Sequence, residues 1–200
     1  MLHIEKKGHN PRRAAIGVGA FALLIVGSYT LVNVLSPTLA PILAPTTVDV
    51  HALAQPSRSK NQVVIPKLGL QISYASGDES VLDRGAWWRY PERGSPANGG
   101  NFIIAAHRFS IQPTPGGTIE KSPFYHIDKL VIGDQIVTDY NGKRYVYEVE
   151  KIFDVKPSQT EIEAPSSEAK LTLYSCELGG SDAGRVVVVA KKLGEATTTD

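Results

Sequence analysis

The sequence predicts a mainly β domain, built as a closed antiparallel barrel or a sandwich of seven or eight short strands and preceded by one transmembrane helix. Three observations support this prediction. Residues 14–35 are uncharged and strongly apolar. From residue 63 onward, short β-branched runs alternate with turn residues, and few stretches look helical, as in all-β domains. One pair of strands flanks Asn141-Gly142, the dipeptide favoured in a type I′ hairpin turn.

The apolar segment 14–35 has 22 residues, and a helix needs about 20 to span a bilayer. Basic side chains precede it, namely Lys6, Lys7, Arg12 and Arg13, and the next Lys or Arg is Arg58. Such an asymmetry predicts that the N-terminus lies in the cytoplasm and that everything after the span lies outside.

A cleaved signal peptide is the alternative for this segment. Its cleavage site would be Thr38-Leu39-Ala40, which is a weak match, and Pro41 directly after it is unfavourable. The apolar stretch is also long for a signal peptide. The sequence therefore favours an uncleaved signal-anchor and a single-pass protein of the cell membrane.

The chain is predicted to have five parts. These are a basic cytoplasmic N-terminus (1–13), the transmembrane signal-anchor (14–35), a Pro/Thr-rich tether (36–62), the folded domain (63–194) and a C-terminal tail (195–200). The tether contains four prolines, which argue against a continuous helix there. The folded part is long enough for one core.

Within the domain the strands are predicted in order. They read VVIP, LGLQISYA, NFIIAAH, the hairpin QIVTDYNGKRYVYEVEKIFDV, KLTLYSC and RVVVVAKKL, while ESVLDRGAWW is predicted as a short helix. Residues 109–122 are rich in Pro and Gly, which predicts neither helix nor strand and makes this loop a candidate lid.

Composition excludes two classes of protein. The formal net charge is +1, so a whole-chain affinity for nucleic acid is not expected. A single cysteine cannot form an internal disulfide, which excludes a disulfide-stapled scaffold. Cys176 is therefore either a small packing residue or a thiol retained for its reactivity.

Three residues at strand ends could carry chemistry together. Cys176 ends the run LTLYSC, His107 ends NFIIAAH, and Arg185 opens RVVVVA after a short Gly-rich connection. A free thiol has a pKa of about 8.5 and needs a nearby cation or base to act as a nucleophile. Each residue alone is more often structural, and only their combination predicts an active site.

The same residues resemble the signature of the sortases, the membrane-anchored cysteine transpeptidases of mainly Gram-positive bacteria. The resemblance lies in Thr172-Leu173-Tyr174-Ser175-Cys176, in Ala105-Ala106-His107 followed by Arg108, and in Arg185 opening a valine-rich strand. The segments IPKLGL, GNFIIAAH, FYHIDKLVIGDQI and YVYEV also resemble sortase segments in the same order. Ser175 stands where the family usually has Thr, which keeps the hydroxyl and removes a methyl.

The resemblance implies a sortase-type β-barrel and a transpeptidase that cleaves a Leu-Pro-X-Thr-Gly-like sorting signal between Thr and Gly. It makes Cys176 the nucleophile, His107 the proton donor and later the base, and Arg185 the residue that stabilises the oxyanion or holds the substrate. Ser175, Arg108 and Thr172 are candidate substrate-binding residues. No metal or cofactor is implied.

The implied partners are sorting-signal peptides of surface proteins and an acceptor amine, from a peptidoglycan precursor or from a pilin lysine. Two alternatives remain at this point. One is an extracellular cysteine hydrolase, in which water resolves the acyl-enzyme. The other is a non-catalytic, membrane-anchored β-barrel that binds a ligand and uses Cys176 only for packing.

Overall fold

The β-branched runs form nine strands in the computed structural model, which describes residues 11–43, 56–57 and 60–196. The strands are β1 (Gln62–Ile65), β2 (Leu70–Ala75), β3 (Ala86–Arg89), β4 (Gly94–Ser95), β5 (Gly99–Ala105), β6 (Gln135–Tyr140), β7 (Lys143–Val155), β8 (Lys170–Glu177) and β9 (Gly180–Ala196). The α-helices are α1 (Pro11–Leu43) and α2 (Pro115–Glu120). Short 3₁₀ turns occupy Pro66–Leu68, Glu79–Asp83, Pro91–Arg93, Ile127–Lys129 and Thr160–Glu163.

Eight of these strands close into a barrel. The order is β3-β2-β1-β6-β7-β9-β8-β5, and β5 pairs back to β3, while β4 is an extra strand on β5. The predicted closed barrel is therefore confirmed. Six of its eight seams are antiparallel, but β2–β3 and β5–β8 are parallel, which the sequence did not predict. Parallel neighbours need a long crossover instead of a tight turn, and the 3₁₀ turn Glu79–Asp83 lies on the crossover between β2 and β3.

The strands that carry the candidate site bury both of their faces. Alternate residues point into the barrel, such as Phe102 and Ile104 on β5 and Leu173 on β8. The intervening residues join a second, smaller apolar cluster that includes Ile103 and Tyr174. This two-sided burial explains why these strands read as continuous apolar runs instead of alternating ones.

Helix α1 is longer than the sequence predicted. The segment that meets the length and hydropathy expected of a membrane span runs from Ala15 to Ile42, with a mean hydropathy of 2.1. The helix passes through Pro37 and Pro41, so the prediction of a non-helical tether is wrong for residues 36–43. Most of the remaining tether lies outside the described residues, as do residues 1–10 and 197–200.

The helix tolerates both prolines because the carbonyls that lose an intrahelical N–H donor accept hydrogen bonds from other groups. A proline removes the N–H that would bond the carbonyl four residues earlier. For Pro37 that carbonyl belongs to Asn33, which instead accepts a 2.8 Å hydrogen bond from the Ser36 hydroxyl. For Pro41 it belongs to Pro37, whose oxygen lies 2.9 Å from Nε2 of His126. The second donor comes from the folded domain, so the local sequence alone gives no sign of it.

The loop 109–122 also contains structure that was not predicted, because α2 lies within it. Thr114 caps this helix, with its hydroxyl accepting a 3.1 Å hydrogen bond from the N–H of Gly117, and Pro115 occupies the first turn. Ser or Thr before Pro is a known helix-start signal. In the prediction from sequence, the two glycines that follow outweighed this signal.

The domain itself begins at Gln62 and β9 ends at Ala196, within two residues of the predicted bounds.

A buried ion pair joins the two strands of the Asn141-Gly142 hairpin. Asp139 is opposite Arg144 in the register, and Nε of Arg144 lies 2.7 Å from the Asp139 carboxylate, which is fully buried. Gln62 and the backbone N–H of Ser57 donate to the same carboxylate. Burial alone would raise the pKa of Asp139, but these donors outweigh it and hold the pKa below the usual value.

We expect Asp139→Asn to destabilise the domain by about 3–5 kcal/mol, because it leaves the buried guanidinium of Arg144 without its carboxylate. Chemical denaturation at neutral pH measures this loss. The control is Glu195→Gln, which breaks the exposed pair with Lys143 and should cost less than about 1 kcal/mol.

The same pair predicts a pH dependence. Because the pKa of Asp139 is lowered in the folded state, its stabilisation is complete above the unfolded carboxyl pKa of about 3.9. It is lost as the pH falls through the lower, folded-state pKa. The stability difference between the wild type and Asp139→Asn should therefore shrink below about pH 4, and an unchanged difference would contradict the assignment.

Candidate active site

The pairing of β8 with β9 places Cys176 directly opposite Arg185. Residues opposite each other in an antiparallel pair have Cα atoms about 4.5–5.5 Å apart and point to the same face of the sheet. On its other side Arg185 is opposite Val155 of β7. Arg185 therefore lies on β9, the neighbour of the strand that carries Cys176, as the sequence predicted.

His107 follows β5, which pairs in parallel with β8 on the edge opposite to β9. The last pair in this register is Ala105 with Tyr174, and the N–H of Ala106 still donates to the Tyr174 carbonyl at 3.3 Å. Continued by two residues, the register brings His107 level with Cys176. Neighbouring strands lie about 4.8 Å apart. The His107 carbonyl accepts a 3.1 Å hydrogen bond from Phe124, which holds the chain where it leaves the sheet.

The thiol lies on the outer face of the barrel. Leu171 and Leu173 of β8 point into the main core, so by the two-residue period of a strand Tyr174 and Cys176 point outward. Cys176, His107 and Arg185 are each half-buried, whereas Ser175 is only 2% exposed. A cysteine used only for packing would be expected among the inward-facing aliphatic residues, and Cys176 is not among them.

Arg185 is held in place by an excursion of the chain at the start of β9. Cys176 is opposite Arg185, but Glu177 is already opposite Gly180, so residues 181–184 have no counterpart on β8. Nη1 of Arg185 donates to the carbonyls of Ser181 and Gly184, at 2.7 and 2.9 Å. Within the part of the chain that the structure describes, these bonds use only one terminal nitrogen, and the opposite edge of the guanidinium is available to a ligand.

Gly184 is required by this geometry. Its φ is +147°, and a Cβ at this position would lie 2.9 Å from the carbonyl oxygen of Val155. Only glycine fits both the dihedral and the close approach of β7. The excursion that orients Arg185 therefore depends on a residue without a side chain.

The three predicted substrate-binding residues are buried and bonded within the protein. Thr172 is fully buried and donates to Asn101 at 2.6 Å. Arg108 is 5% exposed and forms an ion pair with Asp128 at 2.9 Å. Ser175 has its hydroxyl 3.3 Å from the carbonyl of Cys176. All three side chains are thus largely buried in this structure, and their role as substrate-binding residues stays a prediction.

A polar network that the sequence did not reveal lies beside the site. The carboxylate of Glu163 accepts a hydrogen bond from the Tyr174 hydroxyl at 2.5 Å and forms a 2.8 Å ion pair with Arg89. Burial, followed by the bond to Glu163, raises the pKa of Tyr174 above its ordinary value. Asn101 donates to the carbonyls of Ile162 and Ala164.

This network fastens the connection between β7 and β8 onto the outer face of the sheet, next to Cys176. Its members come from β3, β5, β8 and the 3₁₀ turn Thr160–Glu163. Since they are far apart in sequence and follow no short motif, no sequence signal could have grouped them.

The described residues contain no group of three or more His, Cys, Asp or Glu side chains that could hold a metal ion. What the site offers is a thiol, an imidazole and a guanidinium. A thiol can attack a carbonyl, an imidazole can transfer protons, and a guanidinium can stabilise a developing oxyanion. These groups suit acyl transfer through a covalent thioester.

Comparison with known proteins gives the same picture. A family model described as a sortase domain matches residues 63–193. Sortase SrtE1 of Streptomyces coelicolor is 30% identical over 157 residues, covering 70% of this chain and 42% of that protein. The chain thus spans less than half the length of this curated relative.

Solved sortase structures share the fold. The Sortase D5 transpeptidase of Clostridium perfringens is 27% identical, with a TM-score of 0.57, over 72% of this chain and 86% of that one. Sortase C1 of the GBS Pilus Island 1 is 24% identical, with a TM-score of 0.58, over 70% of this chain and 66% of that one. With a barrel of this topology and a family match over well over half of its length, the chain belongs to the sortase family.

Proposed function

We propose that this sortase is a cysteine transpeptidase that cleaves a Leu-Pro-X-Thr-Gly-like sorting signal between Thr and Gly and transfers the acyl group to an amine. One observation carries the proposal: Cys176 is opposite Arg185 in the β9 register, and His107 follows the end of β5, the other strand that pairs with β8. Membership of the sortase family supports a reaction of the transpeptidase type.

In the first step the thiolate of Cys176 attacks the carbonyl carbon of the signal's threonine. The carbonyl oxygen takes the electron pair and becomes an oxyanion. The free edge of the Arg185 guanidinium supplies planar N–H donors and a fixed positive charge for it. Because the carbonyls of Ser181 and Gly184 already orient that guanidinium, little reorganisation is needed when the charge develops.

His107 then transfers protons in both halves of the reaction. As the C–N bond breaks, imidazolium donates a proton to the departing glycine amine, which leaves a thioester on Cys176. In the second half the neutral imidazole takes a proton from the incoming amine, which attacks the thioester and releases the thiolate, so that the starting imidazolium and thiolate are restored. No redox partner or metal is needed for the electrons to balance.

The acceptor amine belongs to a peptidoglycan precursor or to a lysine of a pilin subunit. Helix α1 holds the enzyme at the cell membrane as a single-pass anchor, with the barrel outside the cell. Confinement to the surface that carries both substrates raises their effective concentration without any new contact. The span of α1 from Ala15 to Ile42 supports this anchoring.

We expect a stable acyl adduct on Cys176 when the protein is mixed with a sorting peptide without an amine acceptor, because the thioester then waits for a nucleophile. Intact-mass spectrometry measures it, and adding a primary amine should convert the peptide to the aminolysed product. Cys176→Ala should form no adduct while keeping its thermal transition. Release of the acyl group only to water, with and without the amine, would identify a hydrolase instead.

Arg185→Ala should lower kcat by about 10²–10³-fold, the usual loss for an oxyanion donor. Arg185→Lys keeps the charge but not the planar donors, and should recover only part of the rate.

His107→Ala should lower kcat by about 10²–10⁴-fold, the usual loss for a general acid–base residue. Steady-state kinetics on one sorting peptide compares these variants with the wild type. Lys151→Ala is the control, because Lys151 is an exposed residue of β7. Full activity of either alanine variant would remove that residue from the mechanism.

Glu163→Gln should raise KM more than it lowers kcat. The substitution weakens the acceptor that holds the β7–β8 connection against Tyr174 and Arg89, and Tyr174 lies two residues before Cys176 on β8. Glu161→Gln is the matched control, because Glu161 lies two residues away on the same turn and is exposed. Equal effects of the two variants would show that the network does not position the connection.

A further inference from the structure

Helix α1 is bound to the segment that follows His107. The amide of Asn33 donates to the carbonyl of Gln112 at 2.6 Å, and its oxygen accepts from the Thr118 hydroxyl, also at 2.6 Å. One turn earlier, the Tyr29 hydroxyl donates to the carbonyl of Pro113. Asn33 is only 5% exposed. A polar amide inside an apolar span is therefore fully satisfied by the folded domain.

The contact continues toward the C-terminal end of the helix. Thr38 lies 2.9 Å from the hydroxyl of Tyr125, and His126 bonds the carbonyl that Pro41 leaves free. Ser36 also donates to the carbonyl of Pro115 at 3.2 Å. From Tyr29 to Thr38 the helix and the domain thus form one continuous interface. This interface fixes the position of the contacting part of the domain along the axis of α1.

The depth of this interface relative to the bilayer follows from the number of helical residues that precede it. Asn33 lies 18 residues after Ala15, the start of the apolar span, which corresponds to about 27 Å of helix. The hydrocarbon core of a bilayer is about 30 Å thick. Asn33 therefore lies near the outer edge of the hydrocarbon, and Tyr29 lies one helical turn deeper. Residues 112–118, which contact them, lie at the same level.

The segment at this level exposes large apolar side chains. Phe109, Ile111 and Ile119 are 36%, 54% and 40% exposed, and Glu120 is the only charged residue in 109–120. Beyond α1, the described residues contain eight exposed large hydrophobic side chains. Six of them lie in the two connections at the end of the barrel that carries Cys176, namely Phe109, Ile111, Ile119, Val131, Ile132 and Leu178.

We propose that residues 109–120 form a membrane-contact surface that rests in the outer headgroup region of the bilayer spanned by α1. The surface is continuous with the helix through Asn33 and Thr118, and its exposed apolar side chains, with Glu120 as the single charged residue, match the lipid interface. The inference rests on the anchoring role of α1 in the proposed function.

The proposal has a consequence for catalysis. His107 lies directly before this segment, and Cys176 is at the same end of the barrel. The catalytic end therefore faces the headgroups, where a lipid-linked acceptor or a membrane-held sorting signal presents its reactive group. A free, extended tether would allow any orientation of the barrel.

Fluorescence quenching tests the surface in the full chain. In a Cys176→Ala background, single thiols are introduced by Ile111→Cys, Ile119→Cys, Leu24→Cys in α1 and Leu193→Cys at the opposite end of the barrel, and each is labelled with bimane. Leu24 and Leu193 are 68% and 50% exposed, so all four sites accept a label. The protein is reconstituted in phosphatidylcholine–phosphatidylglycerol vesicles containing a lipid with a nitroxide on its headgroup.

We expect a strong loss of fluorescence at positions 111 and 119 and none at 193, and a label at 24 that is shielded from a water-soluble quencher. Shielding at 24 without quenching at 111 and 119 would overturn the membrane-contact surface and leave the anchor intact. A label at 24 that is open to the water-soluble quencher would overturn the anchor itself, and the surface with it.

A second measurement tests the consequence for catalysis. The double variant Ile111→Asp/Ile119→Asp should lose activity toward a lipid-linked amine acceptor in vesicles while keeping its rate with a soluble peptide and a soluble amine. Leu193→Asp is the matched control and should behave as wild type in both assays. Equal losses in the two assays would show that Ile111 and Ile119 serve the fold and not the membrane, and would overturn the proposal.

Discussion

The backbone pairing of β8 on both of its edges is the constraint on which the site depends. One edge joins β9 in antiparallel register and the other joins β5 in parallel register. The β9 ladder places Arg185 opposite Cys176, and the β5 ladder ends two residues before His107 at the same end of the barrel. Side chains alternate along a strand, so a slip by one residue would turn the thiol into the core and bring Ser175 out.

The outer face of β5, β8 and β9 is covered by other side chains and is largely shielded from solvent. A small apolar cluster around Ile103 and Val187 covers it, and the buried Arg89–Glu163–Tyr174 network holds the β7–β8 connection across it. The site lies where this cover ends. The thiol of Cys176 is half-buried there.

The N-terminal helix is part of the folded assembly as well as an apolar span. It continues past two prolines because the carbonyls of Asn33 and Pro37 accept side-chain donors in place of the missing N–H groups. The donor for Pro37 is His126, a residue of the domain. Helix length, proline tolerance and docking of the domain are therefore one linked property.

The sequence by itself determined the apolar span, the Asn141-Gly142 hairpin, the β-rich barrel and the family, because these depend on local composition, spacing and short motifs. It also selected Cys176, His107 and Arg185 from their places at strand ends. Only the tertiary structure decided that β5 and β8 are parallel neighbours, that Thr172, Ser175 and Arg108 are buried, and that the helix continues to Leu43. Each of these outcomes depends on partners distant in the chain, such as Asn101 for Thr172 and His126 for Pro37, and local patterns do not encode such pairings.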